Sequence, residues 1–122
     1  MGTSQELGSR GERLAERFLS ERGYEIIERN YRFGHREIDL IVRRGSVVAF
    51  VEVKTRGGAG FGHPLEAITA AKRREVERVA QRWLQSHRRP GLSYRFDALG
   101  IVLRAGRDPV VCHIPGAWRL GE

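Results

Sequence analysis

The chain is poor in cysteine, in lysine and in long apolar runs, and each shortage excludes something. Its single cysteine, Cys112, can form neither an internal disulfide nor a cysteine-based zinc cage. It sits in the apolar run Val110–Val111–Cys112, so a buried, inert thiol is the expectation. No stretch of 18 apolar residues exists to cross a bilayer. Residues 1–10 carry no apolar signal core, which makes a cytoplasmic location the expectation. No internal repeat and no linker divides the chain, and the histidines have no metal-ligand spacing; His35 and His63 read as solvated loop residues.

What remains is one basic domain. The 122 residues are 40% hydrophobic and 30% charged, a globular balance, and suffice for a single core. There are 22 Lys+Arg against 15 Asp+Glu, a net charge of +7 and a pI near 10.7. Such a surplus points to polyanions, nucleic acid foremost. Lysine occurs only at Lys54 and Lys72; every other cation is arginine. A compact ammonium is not interchangeable with a guanidinium, which singles out those two positions.

The spacing of Leu7, Leu14, Ala15, Phe18 and Leu19 predicts a helix over about 6–22, stopped by Gly23 and preceded by a tail of residues 1–5. An edge strand follows over 24–31. Residues 37–44 and 47–54 read as a hairpin closed by Gly45–Ser46, a pair suited to a type II′ turn. That turn fixes a register in which paired residue numbers sum to about 91, so Ile38/Val53, Leu40/Val51 and Val42/Ala49 share an apolar face. Residues 55–63 read as a mobile glycine loop. A second helix runs from Thr69, its N-cap, to about His87, followed by strands over 94–103 and 110–114. The order αβββαββ gives an α/β (or α+β) fold, a mixed sheet flanked by helices.

The other hairpin face pairs Asp39 with Glu52 and Glu37 with Lys54. Like charges directly opposite on a sheet repel, and a divalent cation between them relieves the repulsion. A slipped register with the loop at Arg44–Gly45 sets Glu37 opposite Glu52 and keeps every acid on that face. The competing reading is a solvated charge network. Along the second helix and its end, Lys72, Arg73, Arg74, Arg78, Arg82, Arg88 and Arg89 stand against Glu75 and Glu77, a local surplus of +5 that suits sequence-independent phosphate binding.

The strings Glu37–Ile38–Asp39–Leu40–Ile41 and Phe50–Val51–Glu52–Val53–Lys54–Thr55–Arg56 resemble the PD-(D/E)xK, restriction-endonuclease-like nuclease superfamily. With Gly11–Glu12, Arg29–Asn30–Tyr31–Arg32, Lys72 and Arg95–Phe96–Asp97, the chain is similar to the bacterial YraN family, related to archaeal Holliday-junction resolvases. The resemblance implies Asp39 and Glu52 as metal-binding acids, the Val53 carbonyl as a further ligand, Lys54 as the catalytic lysine and Glu12 as a helix-borne acid. It implies Mg²⁺, with Mn²⁺ as substitute, and an endonuclease acting on branched or structured DNA. Phosphate contacts fall to Lys72, Arg73, Arg74, Arg56 and Arg36; Arg36 stands where the family usually has glycine. On residue spacing alone Glu12 reads as a surface acid, and Asp97 as the partner of an arginine. Resolvase-like cutting implies a homodimer, with Trp83, Trp118 and Phe61 as interface candidates where exposed. The alternative is a non-catalytic nucleic-acid-binding module on the same scaffold.

Overall fold

A computed structural model describes residues 3–58 and 64–121. Helix α1 (Ser4–Glu21) begins two residues earlier than its apolar spacing predicts, because Thr3 caps it: the Thr3 Oγ1 accepts the Glu6 N–H at 3.1 Å. Residues 4 and 5 are therefore helix, not tail. At the other end Gly23 takes φ +88, the Gly23 N–H donates to the Ser20 carbonyl, and the Tyr24 N–H donates to the Leu19 carbonyl. This left-handed glycine closure ends the helix where the sequence places its stop.

Strands β1 (Glu25–Phe33), β2 (Arg36–Arg44), β3 (Val47–Gly57), β4 (Ser93–Arg104) and β5 (Arg107–Trp118) form one sheet in the order β1-β2-β3-β4-β5. Helix α2 (Ala70–His87) joins β3 to β4, which pair in parallel; the other neighbours are antiparallel. The predicted order αβββαββ is the observed one. Helix α1 covers one face, burying Ala15 and Leu19 against Leu40, Val42, Val51 and Leu99. On the other face α2 buries Val76, Val79, Ala80 and Trp83 against Ile41, Val48 and Phe50. Thr69 caps α2, its Oγ1 accepting the Lys72 N–H at 3.1 Å.

Several strand boundaries differ from the sequence reading; β1 runs two residues past its expected end at 31, to Phe33. Residues 55–57, expected in a loop, continue β3, because β4 pairs with them as far as Gly57↔Leu103. Gly58 lies beyond the strand, and residues 59–63 of that expected loop, with Phe61 and His63, lie outside the described residues. Strand β5 runs well beyond 110–114 through Pro109 and Pro115, which an edge strand accommodates because its outer N–H groups need no partner. Cys112 is half-buried, not buried. Trp83 and Trp118 are buried, so neither offers an exposed interface.

The hairpin register holds where it was fixed by the turn: Arg44↔Val47, Val42↔Ala49 and Leu40↔Val51 pair as expected. It does not continue to Asp39↔Glu52. Ile38 packs on the α2 side, whereas Leu40 and Val42 pack under α1, so the alternation breaks at Asp39. The β1–β2 ladder also passes from Arg29↔Leu40 to Tyr31↔Ile38 without pairing Asn30 and Asp39, and Asn30 takes φ +49. The reason is chemical. The Val53 N–H, which a continued ladder would direct to the main chain of residue 38, donates to the Asp39 Oδ2 at 2.7 Å.

Candidate active site

The break in β2 gathers acids from both sides of the sheet. Glu52 points to the α2 face, where the Lys72 Nζ lies 3.8 Å from its Oε2. It is 2% exposed, and its Oε1 is buried with no hydrogen-bond partner. From the α1 face, Glu12 and Glu37 meet at Asn30, whose Nδ2 donates to the Glu12 Oε1 at 3.1 Å and lies 3.5 Å from the Glu37 Oε1. Asp39 stands between the two groups, its carboxylate tied to the Val53 N–H.

The electrostatics of this cluster are unfavourable. Burial pushes the Glu52 carboxyl up to about 8, and the neighbouring Asp39 adds to the rise; Lys72 and Lys54 oppose it. Burial likewise pushes Asp39 up to about 6, with Glu12 and Glu37 raising it further and the Val53 hydrogen bond and Lys72 working against them. A purely structural arrangement would avoid a buried carboxyl with an oxygen left unpartnered beside a second, half-buried carboxyl that repels it.

Such a pair fits a hard divalent cation, which takes oxygen ligands and, as Mg²⁺, keeps several waters beside one or two carboxylates. The two carboxylates of Asp39 and Glu52 supply that donor set, and the orphaned Glu52 Oε1 is the atom a cation would satisfy. Among the described residues no group of three or more His, Cys, Asp or Glu side chains stands together as a metal cage. Glu12 is near enough to raise Asp39 but is engaged by Asn30.

The remaining candidates divide. Lys54 and Lys72 both act on Glu52. Val53 contributes its N–H to Asp39. Arg56 and Arg74 are exposed and Arg36 is half-buried near the β1–β2 turn. Arg73 is spent within the fold: its Nε donates to the Ile68 carbonyl at 3.3 Å and its guanidinium lies over Trp118. Asp97 belongs to a different network. It is fully buried and accepts from Arg95 Nε (2.9 Å), His113 Nε2 (2.8 Å) and the Gly116 N–H (3.0 Å). Burial alone would raise its carboxyl, but the His113, Arg95 and Gly116 hydrogen bonds outweigh burial and hold it below the usual carboxylate range. Asn30 is the residue whose role spacing does not reveal; the available signal was an asparagine, a type that tolerates left-handed backbone, inside a strand-like run.

The family model described as "Uncharacterised protein family UPF0102" matches residues 11–101, a span that contains Glu12, Asp39, Glu52, Lys54 and Lys72. A UPF0102 protein of Nocardia farcinica is 46% identical over 118 residues, covering 97% of this chain and 93% of that protein. One of Chloroherpeton thalassium is 46% identical over 103 residues, covering 84% and 80%. One of Chlorobaculum tepidum is 42% identical over 127 aligned positions, covering 100% and 98%.

Proposed function

The chain belongs to the uncharacterised protein family UPF0102, the YraN family, and we propose that this member is a metal-dependent endonuclease acting on branched or otherwise structured DNA. The observation that carries the reading is the buried Glu52 with one oxygen unpartnered, next to the half-buried Asp39 and beside two lysines in a chain that otherwise uses arginine. Asp39 and Glu52 would hold Mg²⁺ or Mn²⁺. When bound, the ion supplies Lewis acidity at a phosphodiester. The chain's own residues do the rest. The Val53 N–H fixes one Asp39 oxygen. Lys72, whose Nζ lies 3.8 Å from the Glu52 Oε2, would be the cation placed to meet a phosphate oxygen where that carboxylate has another partner. Lys54, on the same strand as Glu52, orients water and offsets negative charge developing on the phosphate. The exposed arginines of α2 supply phosphate contacts that position the backbone without reading bases.

The test is Mg²⁺-dependent cleavage of four-way, flapped and linear DNA by the wild type and by Asp39→Asn. Cutting of branched substrates that Asp39→Asn loses supports the reading; equal cutting by both proteins rejects it. The absence of a three-carboxylate group among the described residues favours a second reading, a nucleic-acid-binding module without turnover. Calorimetric titration with Mn²⁺ separates the two: the binding module shows no more heat than the Asp39→Asn/Glu52→Gln double variant.

A further inference from the structure

Strand β1 is an edge strand, and its end carries Phe33, one of the most exposed large apolar side chains at 46%. Nearly half of its surface is therefore open to contact from solvent. The ring is not bare. The Arg82 guanidinium, reaching from α2, lies over it with 5.3 Å to the centroid, which leaves the opposite face of the ring uncovered by that cation. Phe33 pairs with Arg36 across the turn at Gly34–His35, where Gly34 takes φ +66. Arg36 and the exposed Arg78 form no ion pair among the described residues. Arg74, Arg78 and Arg82 recur at every fourth position of α2, so they form one stripe with a rise of about 6 Å per step. Arg36 is three residues from Asp39 along β2, about 10 Å in an extended strand.

An aromatic ring backed by a guanidinium, flanked by a row of exposed cations and paired across the strands with Arg36, three residues from Asp39, matches the chemistry of unpaired nucleotides. Base faces inside a duplex are already stacked on their neighbours and cost free energy to unstack, so an isolated ring stacks at least cost on an unpaired base. The arginine stripe supplies the complementary charge for the backbone. We propose that Phe33 and Arg82 form a stacking platform for an unpaired base of single-stranded DNA, with Arg78 and Arg74 on its phosphates. The platform deepens the nuclease reading and rests on it for its biological sense: the substrate at the acid pair would carry unpaired nucleotides beside the phosphate to be cut.

The experiment is fluorescence-anisotropy binding of the full chain to labelled oligo(dT) and to a mixed-sequence duplex of equal length, in EDTA so that cleavage plays no part. Phe33→Ala is expected to weaken oligo(dT) binding by about 5- to 150-fold, the range that one lost base–aromatic stack commands. Duplex binding should change less than twofold. Phe33→Trp should restore oligo(dT) affinity and Phe33→Leu should not, which separates stacking from mere apolar contact. Arg82→Ala should weaken both probes, oligo(dT) more. Circular dichroism checks that each variant keeps the fold. If Phe33→Ala and wild type bind oligo(dT) equally, or Phe33→Leu binds as well as Phe33→Trp, the platform is overturned. Oligo(U) bound tenfold more tightly than oligo(dT) reassigns the site to RNA and overturns it as stated. A platform intact in a protein that cuts nothing sinks the nuclease reading alone; cleavage without any effect of Phe33 sinks the platform alone.

Discussion

Replacing Glu52 with glutamine should stabilise the metal-free protein, and the gain should depend on pH in a direction the site dictates. The folded environment raises this carboxyl from an ordinary 4.5 to about 8, chiefly by burial and then by Asp39. A raised acid means that the folded state holds the proton more tightly than the unfolded chain does. Between pH 4.5 and 8 the folded state therefore carries more protons, and stability falls as pH rises through that window. Ionisation costs the fold about 3 kcal/mol at pH 7 and at most about 5 kcal/mol above pH 8. Glutamine keeps the shape and never ionises. Lys72 loses one partner at 3.8 Å but keeps Glu75, also at 3.8 Å, and is partly solvated, so little is lost on that side. Urea unfolding in EDTA at pH 5, 6.5 and 8 measures both proteins. The wild type should lose several kcal/mol across the series. At pH 8 the Glu52→Gln protein should be more stable by about 2 kcal/mol or more, and the difference should shrink toward pH 5. Mg²⁺ at a hundredfold excess over its Kd should return about 2.7 kcal/mol to the wild type and little to the variant. A wild type whose stability is flat from pH 5 to 8, or a glutamine variant less stable at pH 8, refutes the electrostatic account of the site.

Two further outcomes test how the scaffold holds that site. A Cβ at Gly11 would stand 1.8 Å from the Thr55 Oγ1, so α1 rests on β3 at glycine distance. Gly11→Ala should cost about 3 kcal/mol by denaturant unfolding, although alanine favours a helix interior by about 1 kcal/mol, and Thr55→Ala in the same chain should recover part of the loss. Asp97→Asn leaves Arg95 and His113 around a neutral amide and should cost about 3 kcal/mol at neutral pH. Because the Asp97 carboxyl is held below its ordinary 3.8, its contribution is present above that pH and lost as pH falls, so the two proteins should converge in acid; divergence there would contradict the assignment.

The legible parts of the fold were those governed by short-range rules. Gly45–Ser46 can close a hairpin in few ways, and the register it sets is the register found from Arg44↔Val47 to Leu40↔Val51. Thr69 and Gly23 cap and stop helices by bonds within a few residues. The hidden parts depended on partners far away in sequence. Thr55, Arg56 and Gly57 look like loop in a glycine-rich run, yet β4 makes them strand. The prolines of β5 suggest interruption, but an edge position removes the penalty. At the site, the Asp39 and Glu52 acids stood out because charge is unexpected inside β-rich runs. Lys72 reaches Glu52 from another element, and the composition flagged it only because lysine is scarce. Asn30 could not be assigned, since its role depends on Glu12, 18 residues away.

The place where the simple register fails is also the place that makes a site possible. Had the β2–β3 ladder continued, Asp39 and Glu52 would share the α2 face, and Glu12, borne by α1, would be separated from them by the sheet. Instead the Asp39 carboxylate takes the Val53 N–H, the alternation breaks, and Ile38 crosses to the α2 side. Asn30 adopts left-handed backbone opposite the break and brings Glu12 and Glu37 to the gap. Groups from both faces now influence one carboxyl: Glu12 and Glu37 from one side, Lys72 from the other. A side chain that replaces a main-chain acceptor thus puts charged groups borne by both helices around one carboxyl.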